Sequence, residues 1–102
     1  VMHLFVLSCH NTAHALNQQG KNKEAEYYYS HAHFRLLSLI SMPKRSARIM
    51  DNAVYELKTT LNQLKYFLLS MNKDQLAGNI HEESVRVLRK SYVDYVEDVF
   101  MV

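Results

Sequence analysis

The sequence predicts an all-α protein, and three observations carry that prediction. Helix breakers are scarce, with 2 Gly and 1 Pro in 102 residues, so long stretches have no local reason to leave helical geometry. Leu, Ala, Met, Lys and Gln are plentiful, while runs of β-branched residues, the usual mark of strands, are nearly absent. Apolar residues also recur at alternating spacings of four and three, which places them on one side of a helix. A chain of this length with 48% hydrophobic residues has enough apolar surface for one core, so a single helical domain over residues 1–102 is expected.

Four helices follow in order. Met2, Val6, Cys9, Ala13 and Leu16 form a stripe that predicts helix over about residues 2–19. Gly20 terminates it, and Asn22 stands where an N-cap belongs, ahead of Glu24 and Glu26 in a first turn that favours acidic side chains. The second helix is expected over about 23–41, with Ala25, Tyr29, Ala32, Leu36 and Leu39 as its stripe. The Ser41-Met42-Pro43-Lys44 segment breaks it, because the residue before Pro avoids helical geometry and Pro lacks an amide donor.

Ser46 is placed to cap a third helix over about 46–71, whose stripe is the cleanest in the chain: Met50, Val54, Leu57, Leu61, Leu64, Leu68 and Met71. The polar residues around Gly78-Asn79 predict a connection from 72 to 79, with room for a short helical turn, and Asn79 and Glu82 as a capping pair. A fourth helix over about 80–101 carries Val85, Leu88, Tyr92, Tyr95 or Val96, and Val99, with Asp94, Glu97 and Asp98 on its other side. Short connections make the neighbours antiparallel. The stripes fit either a closed four-helix bundle or a helical hairpin stacked on further helices.

Charge and cysteine content narrow the function classes. A formal net charge of +2, with Lys and Arg dispersed apart from Lys44, Arg45 and Arg48, gives no electrostatic footprint for nucleic acid. One cysteine makes no internal disulfide, which favours a reducing compartment, the cytoplasm. The opening VMHLFVLSC loosely matches a lipoprotein cleavage box, but no basic residue precedes it and the apolar run is short. No segment has the ~18 consecutive apolar residues that span a bilayer, so no membrane association is expected.

The stretch from Cys9 to Leu37 resembles one tetratricopeptide repeat. Ala13, Gly20, Ala25, Tyr29 and Ala32 match in register, and Leu16 takes the usual Tyr place, whereas Cys9, Thr12 and Leu37 stand where Trp, Leu and Pro are typical. The resemblance implies a hairpin that buries its faces on the later helices, and a peptide or protein docked against its first helix. Carried to matching positions, the groove face is Leu7, His10, Asn11, His14 and Asn17; Met2, Leu4, Phe5 and Leu7 are the apolar anchors expected if the first helix is a docking surface. This face has no Lys or Arg to clamp a carboxylate, so acidic peptide tails are not implied.

Residues 1–20 contain no Asp, Glu, Lys or Arg, although exposed helix faces are usually rich in them. The first helix is therefore expected to be covered on more than one side, by the rest of the chain, a partner or a second copy.

Reaction chemistry is weakly represented. His10 and His14 have the i, i+4 spacing of a metal pair, but no third ligand is identifiable, and His31 and His33 point to different faces. Ala13-His14-Ala15-Leu16 resembles the phosphorylated site of histidine phosphotransfer domains, with Asn17 and Gln18 where that family has a basic residue and a Gly. Cys9 and His10 diverge on a helix and make no dyad. Of Tyr27, Tyr28 and Tyr29, only the last belongs to the core stripe. The expectation is a non-enzymatic adaptor, chaperone or assembly factor that needs no cofactor or metal and binds protein through Phe5, Leu7, His10, Asn11, His14 and Asn17. A phosphotransfer bundle using His14 is the alternative.

Overall fold

The computed structural model describes residues 1–42 and 46–100, with side-chain surroundings through Ser91. The expected break at Pro43-Lys44, and the burial expected of Tyr92, Tyr95, Val96 and Val99, lie outside the described residues. Four helices, α1 (Met2–Gln18), α2 (Asn22–Ser41), α3 (Ala47–Ser70) and α4 (Asp74–Phe100), account for the regular structure, with no strand among the described residues. The all-α prediction holds.

Two helix ends share one local solution. Gly20 has φ of 78°, its amide donates to Asn17 O at 3.0 Å, and the Lys21 amide donates to Leu16 O at 2.9 Å. At the end of α3, Asn72 has φ of 61°, its amide donates to Leu69 O at 3.1 Å, and the Lys73 amide donates to Leu68 O at 2.9 Å. Both are Schellman caps, in which a left-handed residue turns the chain and two amides satisfy carbonyls left open by the helix end. Gly tolerates that backbone freely; Asn does so better than most side chains.

The second cap corrects the predicted boundary of α4. Asn72 ends α3 abruptly, α4 starts at Asp74 rather than near residue 80, and Gly78-Asn79 lies inside the helix instead of forming a turn. Ala77 and Ile80, which flank that pair, are buried at 2% and 8% exposure, and their packing outweighs the ~1 kcal/mol helix penalty of one glycine. At the start of α2, Asn22 is the first helical residue and no side chain caps it. Ser46 does cap α3, its Oγ accepting the Ile49 amide at 3.2 Å.

Helix α1 packs on α2 and α3, α2 on α3 and α4, and α3 on α4, whereas α1 and α4 do not meet among the described residues. The result is an open stack of two hairpins, not a closed ring of four helices. Its Cα envelope of 52 × 30 × 16 Å is correspondingly thin.

The core has two apolar cells. Ala13, Ala25, Tyr29, Leu64, Phe67, Leu68, Ala77 and Ile80 form one, near the two caps. Val6, Leu36, Leu37, Ile40, Met50, Ala53 and Leu57 form the other. Each fully buried Leu or Ile contributes about 1.5–3 kcal/mol relative to exposure. The small residues let backbones approach: Ala13, Ala25 and Ala32 are each 0% exposed.

A polar layer separates the cells. His33 on α2, buried completely, follows Tyr29 by one turn and precedes Leu36 by nearly one. Its Nδ1 lies 2.9 Å from Thr60 Oγ1 on α3, and its Nε2 lies 2.7 Å from Ser84 Oγ on α4.

Candidate functional site

The N-terminal helix is the place where sequence and structure both leave chemistry uncommitted. Its inner side is fixed by Val6, Cys9 and Ala13, all buried, so every other position is driven toward a flank or outward. Leu7, Asn11 and His14 are exposed, and Asn17 is half-buried. Leu4 and Leu7, at 66% and 45% exposure, leave apolar surface in water on a helix that has no formally charged side chain. The expected covering of α1 is thus supplied by the chain on its inner side only. Among the described residues, α1 meets only α2 and α3.

His10 behaves differently from His14. It is half-buried, with its ring centroid 5.7 Å from that of Tyr29, and its Nε2 is buried without a hydrogen-bond partner. Burial pushes its pKa below the usual imidazole value, and the nearby Glu56 carboxylate offsets part of that effect. His10 and His14, one turn apart, thus lie in different surroundings. Among the described residues, no group of three His, Cys, Asp or Glu side chains is arranged to hold a metal ion.

Phe5 falls away from the other five candidates. It is half-buried at the α1–α2 contact, edge-on to His31 with centroids 5.5 Å apart. His31 stacks on Tyr27 at 5.6 Å, and these two rings with Ser30, Phe34, Arg35 and Ser38 line an open depression of about 370 Å³ on the outer side of α2. Phe5 thus touches the His31 ring at the border of that depression.

Two residues of the α1 neighbourhood escaped the sequence reading. His3 donates from Nδ1 to Glu56 Oε1 at 2.7 Å, tying the first turn of α1 to the middle of α3. Glu56 itself is 6% exposed although glutamate is rarely buried unless paired. Its position beside Leu57 on the α3 stripe was the available signal. Farther round α3, Tyr55 and Tyr66 are each 77% exposed, and their 11-residue spacing of three helical turns keeps them on one side.

Nucleophilic chemistry finds no support at Cys9. The thiol is 7% exposed and burial pushes its pKa up, so it stays protonated and packed. The described helices include none long and apolar enough to cross a membrane.

Fold and surface together define an open all-α stack with an exposed, uncharged edge helix. The chain belongs to the family described as "Protein of unknown function (DUF2753)", whose profile matches residues 1–88. The comparisons with curated proteins and with solved structures gave no match. This family membership overturns the tetratricopeptide resemblance drawn from Cys9 to Leu37. Ala13, Gly20, Ala25 and Ala32 answer to a more general demand, since any close helical hairpin needs small residues at its contacts and a left-handed residue at its turn. Ala77 and Asn72 meet the same two demands in the second hairpin without resembling a repeat.

Proposed function

We propose that the protein is a non-enzymatic interaction module that docks an uncharged protein segment on the outer face of α1. The observation that carries this reading is the exposure of Leu4 and Leu7 on a helix without Asp, Glu, Lys or Arg. Such a face loses little on being dehydrated, because no formal charge must shed its water. Leu7 supplies apolar contact, while Asn11, His14 and Asn17 supply hydrogen bonds that set register. Cytoplasmic adaptor, chaperone or assembly roles all fit this mechanism.

Site-specific photocrosslinking in the producing cell tests it. A crosslinker at Leu7 or His14 is expected to trap the same protein, and one at Lys90 on α4 is expected to trap nothing in common with them. Leu7→Asp combined with a crosslinker at His14 should abolish capture while helical circular dichroism is retained. Absence of a shared product, or capture that survives Leu7→Asp, would reject the α1 face; a product made only of this chain would make the face a self-association surface.

The phosphotransfer alternative has one favourable feature, the exposure of His14. Helix α1 supplies no Lys or Arg to neutralise a phosphorylated imidazole, so this reading is the weaker. Incubation with a phosphorylated receiver domain followed by mass analysis of His14 decides it.

A further inference from the structure

The polar layer between the two apolar cells has a proton count that does not close. Four contacts meet there: His33 Nδ1 to Thr60 Oγ1 at 2.9 Å, His33 Nε2 to Ser84 Oγ at 2.7 Å, Thr60 Oγ1 to Leu57 O at 3.1 Å, and Ser84 Oγ to Ile80 O at 2.7 Å. A neutral imidazole and two hydroxyls bring only three protons to those four contacts. The short Ser84–Ile80 bond retains the Ser84 proton, so Nε2–H donates to Ser84. The bare Nδ1 then accepts the Thr60 hydroxyl, and the long contact to Leu57 O is the one left without a proton.

A fourth proton would fill every contact, but only by placing a cation in a site with 0% exposure. Among the described residues, no carboxylate is hydrogen-bonded to the ring. On α3 the facing group is Thr60, and Glu56, one turn earlier, is taken by His3; on α4 the facing group is Ser84, and its neighbour Glu83 is taken by Arg86. On α2 the ring meets Phe34, with centroids 5.5 Å apart; of the titratable groups in the preceding turn, Tyr29 packs on Phe67 and His10, and His31 on Tyr27 and Phe5. Desolvation therefore opposes the charge without electrostatic relief.

We propose that His33 is a proton-sensitive pin that locks α4 onto α2 and α3, held as the neutral Nε2–H tautomer and released when the ring is protonated. Helix α4 is the element that depends most on this pin. It lies at an open edge of the stack, and its buried anchors among residues 74–91 are Ala77, Ile80, Ser84 and Ser91, two of them hydroxyl side chains. Release of α4 exposes the polar layer, hydrates the imidazolium and frees both hydroxyls. The device is independent of the α1 face.

Burial holds the His33 pKa at about 4, against 6.5 for a free imidazole. The released state accordingly binds the proton first, and the opening equilibrium of α4 rises by one proton's worth between those two values, on the order of 300-fold in total. Nitrogen-15 NMR of the intact chain at pH 7 is expected to show His33 as a single neutral Nε2–H tautomer. Hydrogen exchange of α4 amides, corrected for intrinsic rate, is expected to lose protection as pH falls from 6.5 toward 4. In His33→Leu, α4 protection should show no such pH dependence attributable to this site. If that variant does not fold, the wild-type NMR titration decides alone. A doubly protonated His33 at pH 6 in the docked protein, an Nδ1–H tautomer, or an identical pH dependence in His33→Leu would each overturn the proposal.

Discussion

The two hairpins solve the same problem with different residues, and the difference explains why one was readable and the other was not. Each ends its first helix in a left-handed residue, Gly20 or Asn72, follows it with Lys21 or Lys73, and buries an alanine four residues later, Ala25 or Ala77. The equivalence runs at a constant offset of 52 positions. Where the left-handed residue is glycine, the turn is announced by composition; where it is asparagine, the same backbone hides among ordinary polar residues. The second hairpin then misleads further, because Gly78 sits inside a helix and asks for no special backbone.

Central and edge helices differ also in how tightly they are held. Helix α2 lies between neighbours and buries seven residues, including Leu36 and Ile40 at 0% exposure, whereas α4 occupies an edge. Ordered by size, the expected effects begin with acid. Full stability from His33 is present above pH 6.5, where folded and unfolded imidazoles are both neutral. It falls as pH drops, because the unfolded ring binds a proton that the folded ring refuses until about pH 4. The accumulated loss is about 3 kcal/mol, to be read as the difference between wild type and His33→Leu in urea melts across that range.

Overpacking comes next and should separate the central helix α2 from the edge helix α4. Ala25→Leu, forced between elements that cannot part, is expected to cost roughly 3 kcal/mol, and Ala77→Leu roughly 1 kcal/mol because the edge helix can shift outward. Equal losses in thermal unfolding would refute the view that α4 is the looser element.

The glycines give opposite signs. No atom lies within 4 Å of a Cβ added to either one, so backbone geometry alone decides. Gly20→Ala, at φ of 78°, is expected to destabilise by about 1–2 kcal/mol, while Gly78→Ala, inside α4, is expected to stabilise by about 0.5–1 kcal/mol. Smallest is Asn72→Gly, which makes the second cap like the first and should gain a few tenths of a kcal/mol, or about 2 °C in Tm. A loss on that substitution would mean that the Asn72 side chain contributes more than its tolerance of the left-handed region.

Local rules made most of the fold legible. The stripes of α1, α2 and α3 set their spans to within a residue or two, and Ser46 announced its own cap. What stayed hidden depends on tertiary partners. His33 reads as a polar interruption of the α2 stripe until Thr60 and Ser84 arrive from helices 27 and 51 residues away. Glu56 reads as a surface glutamate until His3 reaches it. On the candidate face, Leu7, Asn11 and His14 were foreseeable as outward residues from the stripe alone, whereas the inward turn of His10 and the flank position of Phe5 follow from how α1 seats on α2 and α3.

The stacking order has a kinetic consequence. Since each helix touches the next and the next but one, native contacts are close along the chain, a topology that closes small loops first and folds fast. The His33–Ser84 and His3–Glu56 bonds span 51 and 53 residues and carry the largest loop-closure entropy among the described polar contacts. Apolar hairpins therefore form before these bonds do. The two histidine bonds are therefore expected to close last, on a stack that hydrophobic contacts have already assembled.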